Sequence, residues 1–133
     1  MKFMLDTNIL IFLIKQKPAQ VMQRFSAHSM DEVCVSSISA AELEYGVAKS
    51  GSTKNKQMLD GWLQLIQRPA FDEKAAHAYG DLRTRLESGG TPIGPLDTLI
   101  AAHAISLNLT LVTNNVREFS RVPGLKIEDW TLN

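Results

Sequence analysis

The sequence predicts an α/β layer fold in which a central parallel sheet is flanked by helices. Two observations favour this class. Short apolar runs, at residues 2–5 and 33–35, alternate with longer segments whose apolar residues recur at helical spacing. The 133 residues are 44% apolar and 21% charged, a composition that supports a buried core. We therefore expect a single domain over residues 1–133.

The elements follow from these patterns in chain order. Thr7 or Asn8 is expected to cap a short first helix, and Pro18 to begin a second. The later helices each show an apolar stripe. The predicted strands are residues 2–5, 33–35, 110–113 and 125–127. The predicted helices after the first two are residues 39–49, 53–67, 72–88 and 95–107, with a helical turn at 116–119.

The bulk composition excludes several classes of protein. The formal net charge is zero, so bulk positive charge does not drive nucleic-acid binding, although a local basic patch remains open. Cys34 is the only cysteine, which excludes an internal disulfide and a cysteine-based zinc site. The apolar run at residues 9–14 is too short to span a membrane, and no basic signal region precedes it. We expect a cytoplasmic protein without a membrane partner.

Three polar residues, Asp6, Thr7 and Asn8, directly follow the first predicted strand. In open parallel sheets, ligands bind outside the carboxyl ends of the strands. The alternative is that Asp6 only caps the next helix. Because capping needs one such residue and three are present, a functional site is the favoured interpretation.

Two further acids stand near predicted helix starts. Glu42 either reaches back to Ser39 in a capping box or acts at a site; both alternatives place it in a first helical turn. Asp97 begins a strongly apolar helix. A favourable helix dipole contributes about 0.3–1 kcal/mol, whereas burying an unpaired carboxylate costs several kcal/mol. Asp97 therefore needs a cation, a hydrogen-bond network or a water-filled cleft.

Amide and carboxylate side chains also follow the third predicted strand. Asn114 and Asn115 are common turn residues, and Glu118 comes one turn later. Like Thr7 and Asn8, they are expected to hold water or to orient ligands. Oxygen donors without Cys or His clusters suit Mg²⁺ or Mn²⁺. Such an ion clamps a phosphodiester for in-line attack, so phosphodiester hydrolysis is the predicted chemistry.

Four segments resemble the PIN-domain ribonucleases, and more narrowly the VapC toxins of bacterial toxin–antitoxin pairs. They are MLDTNI, AELEYG, IGPLDTLIAAHA and TLVTNNVREFSRVPGLKIEDW, in the family order and spanning residues 1–130. The resemblance implies a PIN-domain three-layer sandwich and a Mg²⁺-dependent endoribonuclease. It implies Asp6, Glu42 and Asp97 as catalytic residues, with Asp6 and Asp97 as metal ligands. Many members carry an additional Asp where Asn114 or Asn115 stands, and Glu118 is a candidate replacement.

The resemblance also implies partners. These are an RNA substrate, by analogy the anticodon loop of initiator tRNA, and a VapB-like antitoxin that covers the site. A homodimer, and a higher assembly with the antitoxin, are expected as well. Arg117 and Arg121 follow the third predicted strand and are hypothesised to contact RNA. His103 lies on an apolar stripe and is interpreted as a structural histidine.

Two alternative functions are compatible with some of the residues. A strand-end Asp also occurs in aspartyl-phosphate enzymes, but Asn8 stands where the dehalogenase-like phosphatases need a second Asp. A non-catalytic binding protein on the same scaffold is the other alternative. The presence of Asp6, Glu42 and Asp97 together argues against it.

Overall fold

A four-stranded, all-parallel sheet lies at the centre of the computed structural model, which describes residues 1–132. The strands are β1 (Phe3–Leu5), β2 (Val33–Val35), β3 (Thr110–Val112) and β4 (Ile127–Glu128). Their order across the sheet is β2-β1-β3-β4, so β1 lies in the interior between β2 and β3. Leu5 pairs with Val35 on one side and with Val112 on the other. The carboxyl ends of these three strands consequently meet at one edge.

Within residues 1–132, seven α-helices lie in the segments that connect the strands. They are α1 (Thr7–Lys15), α2 (Ala19–Ser26), α3 (Ser37–Ser50), α4 (Thr53–Leu65), α5 (Glu73–Ser88), α6 (Pro95–Ser106) and α7 (Val116–Phe119), with a 3₁₀ turn at Met30–Glu32. The longest connections carry β1 to β2 and β2 to β3. Because parallel strands need such crossovers, helices cover both faces of the sheet.

Two apolar clusters fill the space between the sheet and the helices on its two faces. Alternate strand residues face opposite sides, so Leu5 and Val35 pack with helices α1 to α4 while Met4 and Cys34 pack with α5 to α7. Strand β1 is buried on both faces, which explains why its sequence is a continuous apolar run. The predicted α/β fold with a parallel sheet between helical layers is confirmed.

The structure corrects two predicted helix starts. Asp6, not Thr7 or Asn8, caps α1, because its side chain accepts a hydrogen bond from the Ile9 amide. Helix α3 begins at Ser37 and is capped by Ser36, two residues before the predicted start. Of the two alternatives for Glu42, the capping box with Ser39 is therefore wrong. Two serines three positions apart gave equivalent capping signals, and only the end of β2 decides between them.

Two predicted ends also differ. Helix α4 ends at Leu65 rather than at residue 67, since Ile66 turns to an extended conformation and Gln67 bridges to Cys34 beside β2. The last strand is Ile127–Glu128 instead of residues 125–127, and it pairs with Leu111 and Val112. Both differences reflect long-range pairing. None of the helices in residues 1–132 is long and apolar enough to cross a bilayer.

Candidate active site

A cleft of about 200 Å³ opens at the carboxyl edge of the sheet. The residues that line it come from four separate parts of the chain, namely the β1–α1 junction, α3, α6 and the start of α7. They are Asp6, Thr7, Asn8, Glu42, Asp97, Asn115 and Phe119. The three acids predicted from separate stretches of sequence thus lie around one cleft.

Asp6 has two roles in the structure. Its Oδ1 accepts a hydrogen bond from the Ile9 amide at 2.9 Å, and its Oδ2 accepts one from Thr113 Oγ1 at 2.5 Å. The side chain is 5% exposed. Burial raises the pKa of Asp6 to about 6, and the nearby charge of Glu42 adds to this, while the bonds from Thr113 and Ile9 oppose it. Asp6 therefore both caps α1 and lines the cleft.

Glu42 is held across the cleft from α1. Thr7 Oγ1 donates a hydrogen bond to Glu42 Oε1 at 2.8 Å. The sequence analysis placed Glu42 in the first turn of its helix. Since α3 begins at Ser37, Glu42 lies in the second turn instead. At this position it is released from any capping role, and Thr7 fixes the direction of its carboxylate.

Asp97 and Glu118 form a pair beside Gly94. Glu118 Oε1 accepts from the Gly94 amide, and Glu118 Oε2 accepts from Asn115 Nδ2, both at 2.8 Å. A methyl group built on Gly94 would stand 3.4 Å from Asp97 Oδ2 and 3.5 Å from Glu118 Oε1. Both distances are ordinary van der Waals contacts, so Gly94 packs directly against the two carboxylates.

The pair shares a proton unevenly. Burial, a hydrogen bond to Glu118 and the negative charges of Glu118, Glu42 and Asp6 raise the pKa of Asp97 to about 7. Burial alone would raise the pKa of Glu118 too, but hydrogen bonds from Gly94, Asp97 and Asn115 hold it below its usual range. Of the two carboxyl groups, Asp97 therefore takes up a proton more readily, and Glu118 stays ionised more readily.

Thr113 and Phe119 are site residues that were not predicted from the sequence. Thr113 is fully buried, and its hydroxyl donates to Asp6 and accepts from the Asn115 amide at 2.9 Å. Strand register places it there, because Leu5 pairs with Val112 and the next residues on both strands therefore stand side by side. A threonine at the last position of the predicted strand 110–113, level with Asp6, was the available signal. Asn114 is exposed and does not line the cleft.

The two basic candidates differ in position. Arg121 Nη1 donates to the Pro92 carbonyl at 3.1 Å, and its charge lowers the pKa of Glu118. It therefore stands close to the acids. Arg117 is exposed on α7. Neither side chain lines the cleft itself.

His103 lies in the core and away from the cleft lining. It is 1% exposed, and its Nδ1 is 2.8 Å from the hydroxyl of Ser36, the residue that caps α3. Its ring also makes an edge contact with Phe71 at 5.3 Å between centroids. Burial lowers the pKa of His103, so the ring is neutral at pH 7. These contacts agree with the interpretation of His103 as a structural histidine, which packs α6 against the start of α3.

The donor set of the cleft fits a hard divalent cation. Three carboxylates, those of Asp6, Glu42 and Asp97, line the cleft, together with the Thr7 hydroxyl and the side-chain amides of Asn8 and Asn115. A fourth carboxylate, that of Glu118, contacts Asp97 and Asn115 beside the cleft. Mg²⁺ and Mn²⁺ prefer such oxygen donors. Within residues 1–132, no three His, Cys, Asp or Glu side chains already stand in a ready-formed metal group. Mutual repulsion of the acids is the interaction that a cation would relieve.

Comparison with known proteins places the chain that forms this cleft in a family. A family model described as PIN domain matches residues 3–125. The tRNA(fMet)-specific endonuclease VapC of Salmonella typhimurium is 45% identical over 131 residues, covering 98% of both chains. Ribonuclease VapC2 of Rickettsia felis is 43% identical over 132 residues, again covering 98% of both. The DNA-bound VapBC structure from Salmonella typhimurium superposes with a TM-score of 0.90, at 44% identity and 98% coverage of both chains.

The chain belongs to the PIN-domain family, and within it to the VapC ribonucleases. Its class of activity is hydrolytic cleavage of RNA within the strand. The membership sets aside both alternatives raised from the sequence, the aspartyl-phosphate enzyme and the non-catalytic binding protein.

Proposed function

We propose that this protein is a Mg²⁺-dependent endoribonuclease toxin that cleaves tRNA, with the anticodon loop of initiator tRNA as its target. Mn²⁺ is the alternative metal. The observation that carries the proposal is the convergence of Asp6, Glu42 and Asp97 on one cleft at the sheet edge, with Glu118 in contact with Asp97. The target is supported by two relatives, 45% and 46% identical, that are named tRNA(fMet)-specific endonucleases.

The acids divide three tasks among them in this proposal: holding the cation, positioning a neighbouring carboxylate and accepting a proton. Asp6 and Asp97 would hold the cation, and Glu118 and Asn115 keep the Asp97 carboxylate turned into the cleft. When bound, the cation supplies positive charge that activates the attacking water and stabilises the phosphate as it reacts. Glu42, oriented by Thr7, accepts the proton that this water loses.

The substrate needs positive charge beside the acids. Arg121 provides it at the rim, because one of its N–H groups bonds to Pro92 while the exposed guanidinium retains other donors. We include Arg117 as a second RNA contact from the exposed face of α7. Phosphate contacts of this kind fix the position of the strand without reading its sequence.

Partners and organisation complete the proposal. The solved relatives from Rickettsia felis and Salmonella typhimurium are VapBC complexes, which supports a VapB-like antitoxin for this chain. A basic side chain of that antitoxin would neutralise the acid cleft. We further infer one domain over residues 1–133, a homodimer that assembles further with the antitoxin, and action on RNA in the cytoplasm.

The test is cleavage of total cellular RNA by the purified, antitoxin-free protein. Reactions contain Mg²⁺, Mn²⁺ or EDTA, and the ends of the products are sequenced. Asp97→Asn is run in parallel, with Asp81→Asn as a control because Asp81 is exposed on α5 and paired with Arg85. Discrete cuts in initiator tRNA that need metal and vanish only in Asp97→Asn are expected. Metal-independent cuts, or full activity of Asp97→Asn, would refute the proposed roles of the metal and of Asp97.

A further inference from the structure

A second cavity, of about 230 Å³, lies against the segment 92–95 that also borders the acid cleft. Helix α5 supplies one wall with Tyr79, Arg83 and Glu87, and Pro92 and Ile93 supply the other. We call it the Tyr79 cavity. None of these residues has a task in the proposed hydrolysis, so the role of the cavity has to be sought separately.

The Tyr79 cavity is connected to the acids by direct contacts. Gly94, which follows Ile93 in the cavity wall, donates its amide hydrogen to Glu118 at 2.8 Å. Arg121 donates to the Pro92 carbonyl at 3.1 Å and acts on Glu118 through its charge. The segment from Pro92 to Gly94 thus contacts both the Tyr79 cavity and the acid pair, and Arg121 is bonded to the same segment.

The walls have the chemistry that binds a nucleobase. Arg83 Nη1 donates to the Tyr79 hydroxyl at 3.0 Å, and Arg83 Nε donates to Glu87 Oε2 at 3.3 Å. These bonds hold a flat guanidinium beside an aromatic ring. Proteins recognise unpaired RNA bases by stacking them on aromatic rings and Arg planes and by bonding to their edges. The Glu87 carboxylate is an acceptor for base amino groups.

We propose that the Tyr79 cavity is a nucleotide subsite that binds one unpaired base of the RNA next to the scissile phosphate. Tyr79 and Arg83 stack on the base, Glu87 accepts from its edge, and Arg121 contacts the intervening phosphate. This inference rests on the proposed ribonuclease function and extends it to selection of the nucleotide beside the cut. An RNA strand is favoured as occupant because cationic Arg83 lines the cavity and cationic Arg121 is bonded to Pro92 in the cavity wall.

The first test is binding, measured by fluorescence anisotropy with a labelled anticodon stem–loop of initiator tRNA. All proteins carry Asp97→Asn to prevent cleavage. Tyr79→Leu and Arg83→Gln are compared with Arg85→Gln, whose residue is equally exposed on α5 and paired with Asp81 in the same i,i+4 manner. Loss of one stacked base weakens binding about 5- to 100-fold, so this range is expected for Tyr79→Leu. Arg85→Gln should bind as the parent does.

The second test is cleavage with Asp97 restored. Tyr79→Leu and Arg83→Gln should raise KM with little change in kcat, because the subsite binds substrate and transition state alike. Sequenced ends from total RNA should show a broader choice of nucleotide beside the cut. Arg83→Gln keeps the test decisive if Tyr79→Leu folds poorly, which thermal unfolding will reveal.

The outcomes separate this inference from the function on which it rests. If the parent protein cleaves RNA but both variants match Arg85→Gln in affinity and cut-site preference, the subsite is refuted. A change in oligomeric mass of the variants by light scattering would also overturn it, since the cavity would then be a contact between copies of this chain. If the parent neither binds nor cleaves RNA, the proposed function fails first and the subsite fails with it.

Discussion

Replacing Asp97 by Asn should stabilise the metal-free protein while it abolishes cleavage. The pKa of Asp97 rises from 3.8 to about 7, which corresponds to roughly 4 kcal/mol at about 1.36 kcal/mol per unit. The side chain is only half-buried and shares its proton with Glu118, so solvent screening reduces this to about 1–2 kcal/mol. Asn is nearly isosteric and carries no charge. At pH 8 the variant should be more stable by that amount.

The sign of this effect depends on pH. The raised pKa means that the proton on Asp97 stabilises the folded state below about pH 3.8, and that this stabilisation is lost as the pH rises towards 7. Wild type and Asp97→Asn should therefore be equally stable near pH 4 and should differ most above pH 7. Added Mg²⁺ should reduce this difference in the free energy of unfolding, because it binds folded wild type in preference to the variant.

The assay is urea unfolding followed by tryptophan fluorescence, in EDTA, at several pH values. Trp130 is fully buried and reports loss of the core. Asp81→Asn is the matched control, since its exposed ion pair contributes about 1 kcal/mol or less. A variant that is no more stable than wild type at pH 8, or a difference that does not change with pH, would refute the reasoning.

Two further changes test how the acids are held. Gly94→Ala adds a methyl group in ordinary van der Waals contact, 3.4 Å from Asp97 Oδ2, at a backbone conformation that alanine also adopts. Cleavage within about threefold of wild type and less than about 1 kcal/mol change in unfolding free energy are therefore expected. A loss of cleavage of about tenfold or more would contradict this contact geometry. Thr113→Val removes the hydroxyl that bonds Asp6 and Asn115, and should destabilise the protein by about 1–3 kcal/mol in urea unfolding. Calorimetry should also show weaker Mg²⁺ binding to Thr113→Val, and equal affinity would mean that Asp6 needs no such support.

The sequence predicted the architecture well because β1 and β2 are buried on both faces. Residues 3–5 and 33–35 contain no polar alternation, and this feature indicates a parallel sheet between helices. Boundaries were less predictable. The start of α3 depended on whether Ser36 or Ser39 provides the cap, and both have the required hydroxyl. The end of α4 depended on Gln67 pairing beside β2, which no local pattern reveals.

The acids of the cleft were predictable because strand ends in a parallel sheet meet at one edge, and because the sequence motifs resemble a family. Their hydrogen bonds were not. One of the two alternatives for Glu42 was a bond to Ser39, three residues away, whereas its partner is Thr7, thirty-five residues away. Local sequence shows which side chains have the right chemistry. The register of β1 against β3 and the packing of α1 against α3 decide which of them meet.

The double use of Asp6 shows why a structural and a functional interpretation need not compete. A cap uses one carboxylate oxygen, and Oδ1 bonds to the Ile9 amide. Thr113 holds Oδ2 and fixes the second rotatable bond of the side chain. Both bonds favour the ionised form, yet burial still raises the pKa to about 6. Hydrogen bonds that suffice to orient the carboxylate are thus too weak to offset its burial, and a cation is the partner that would.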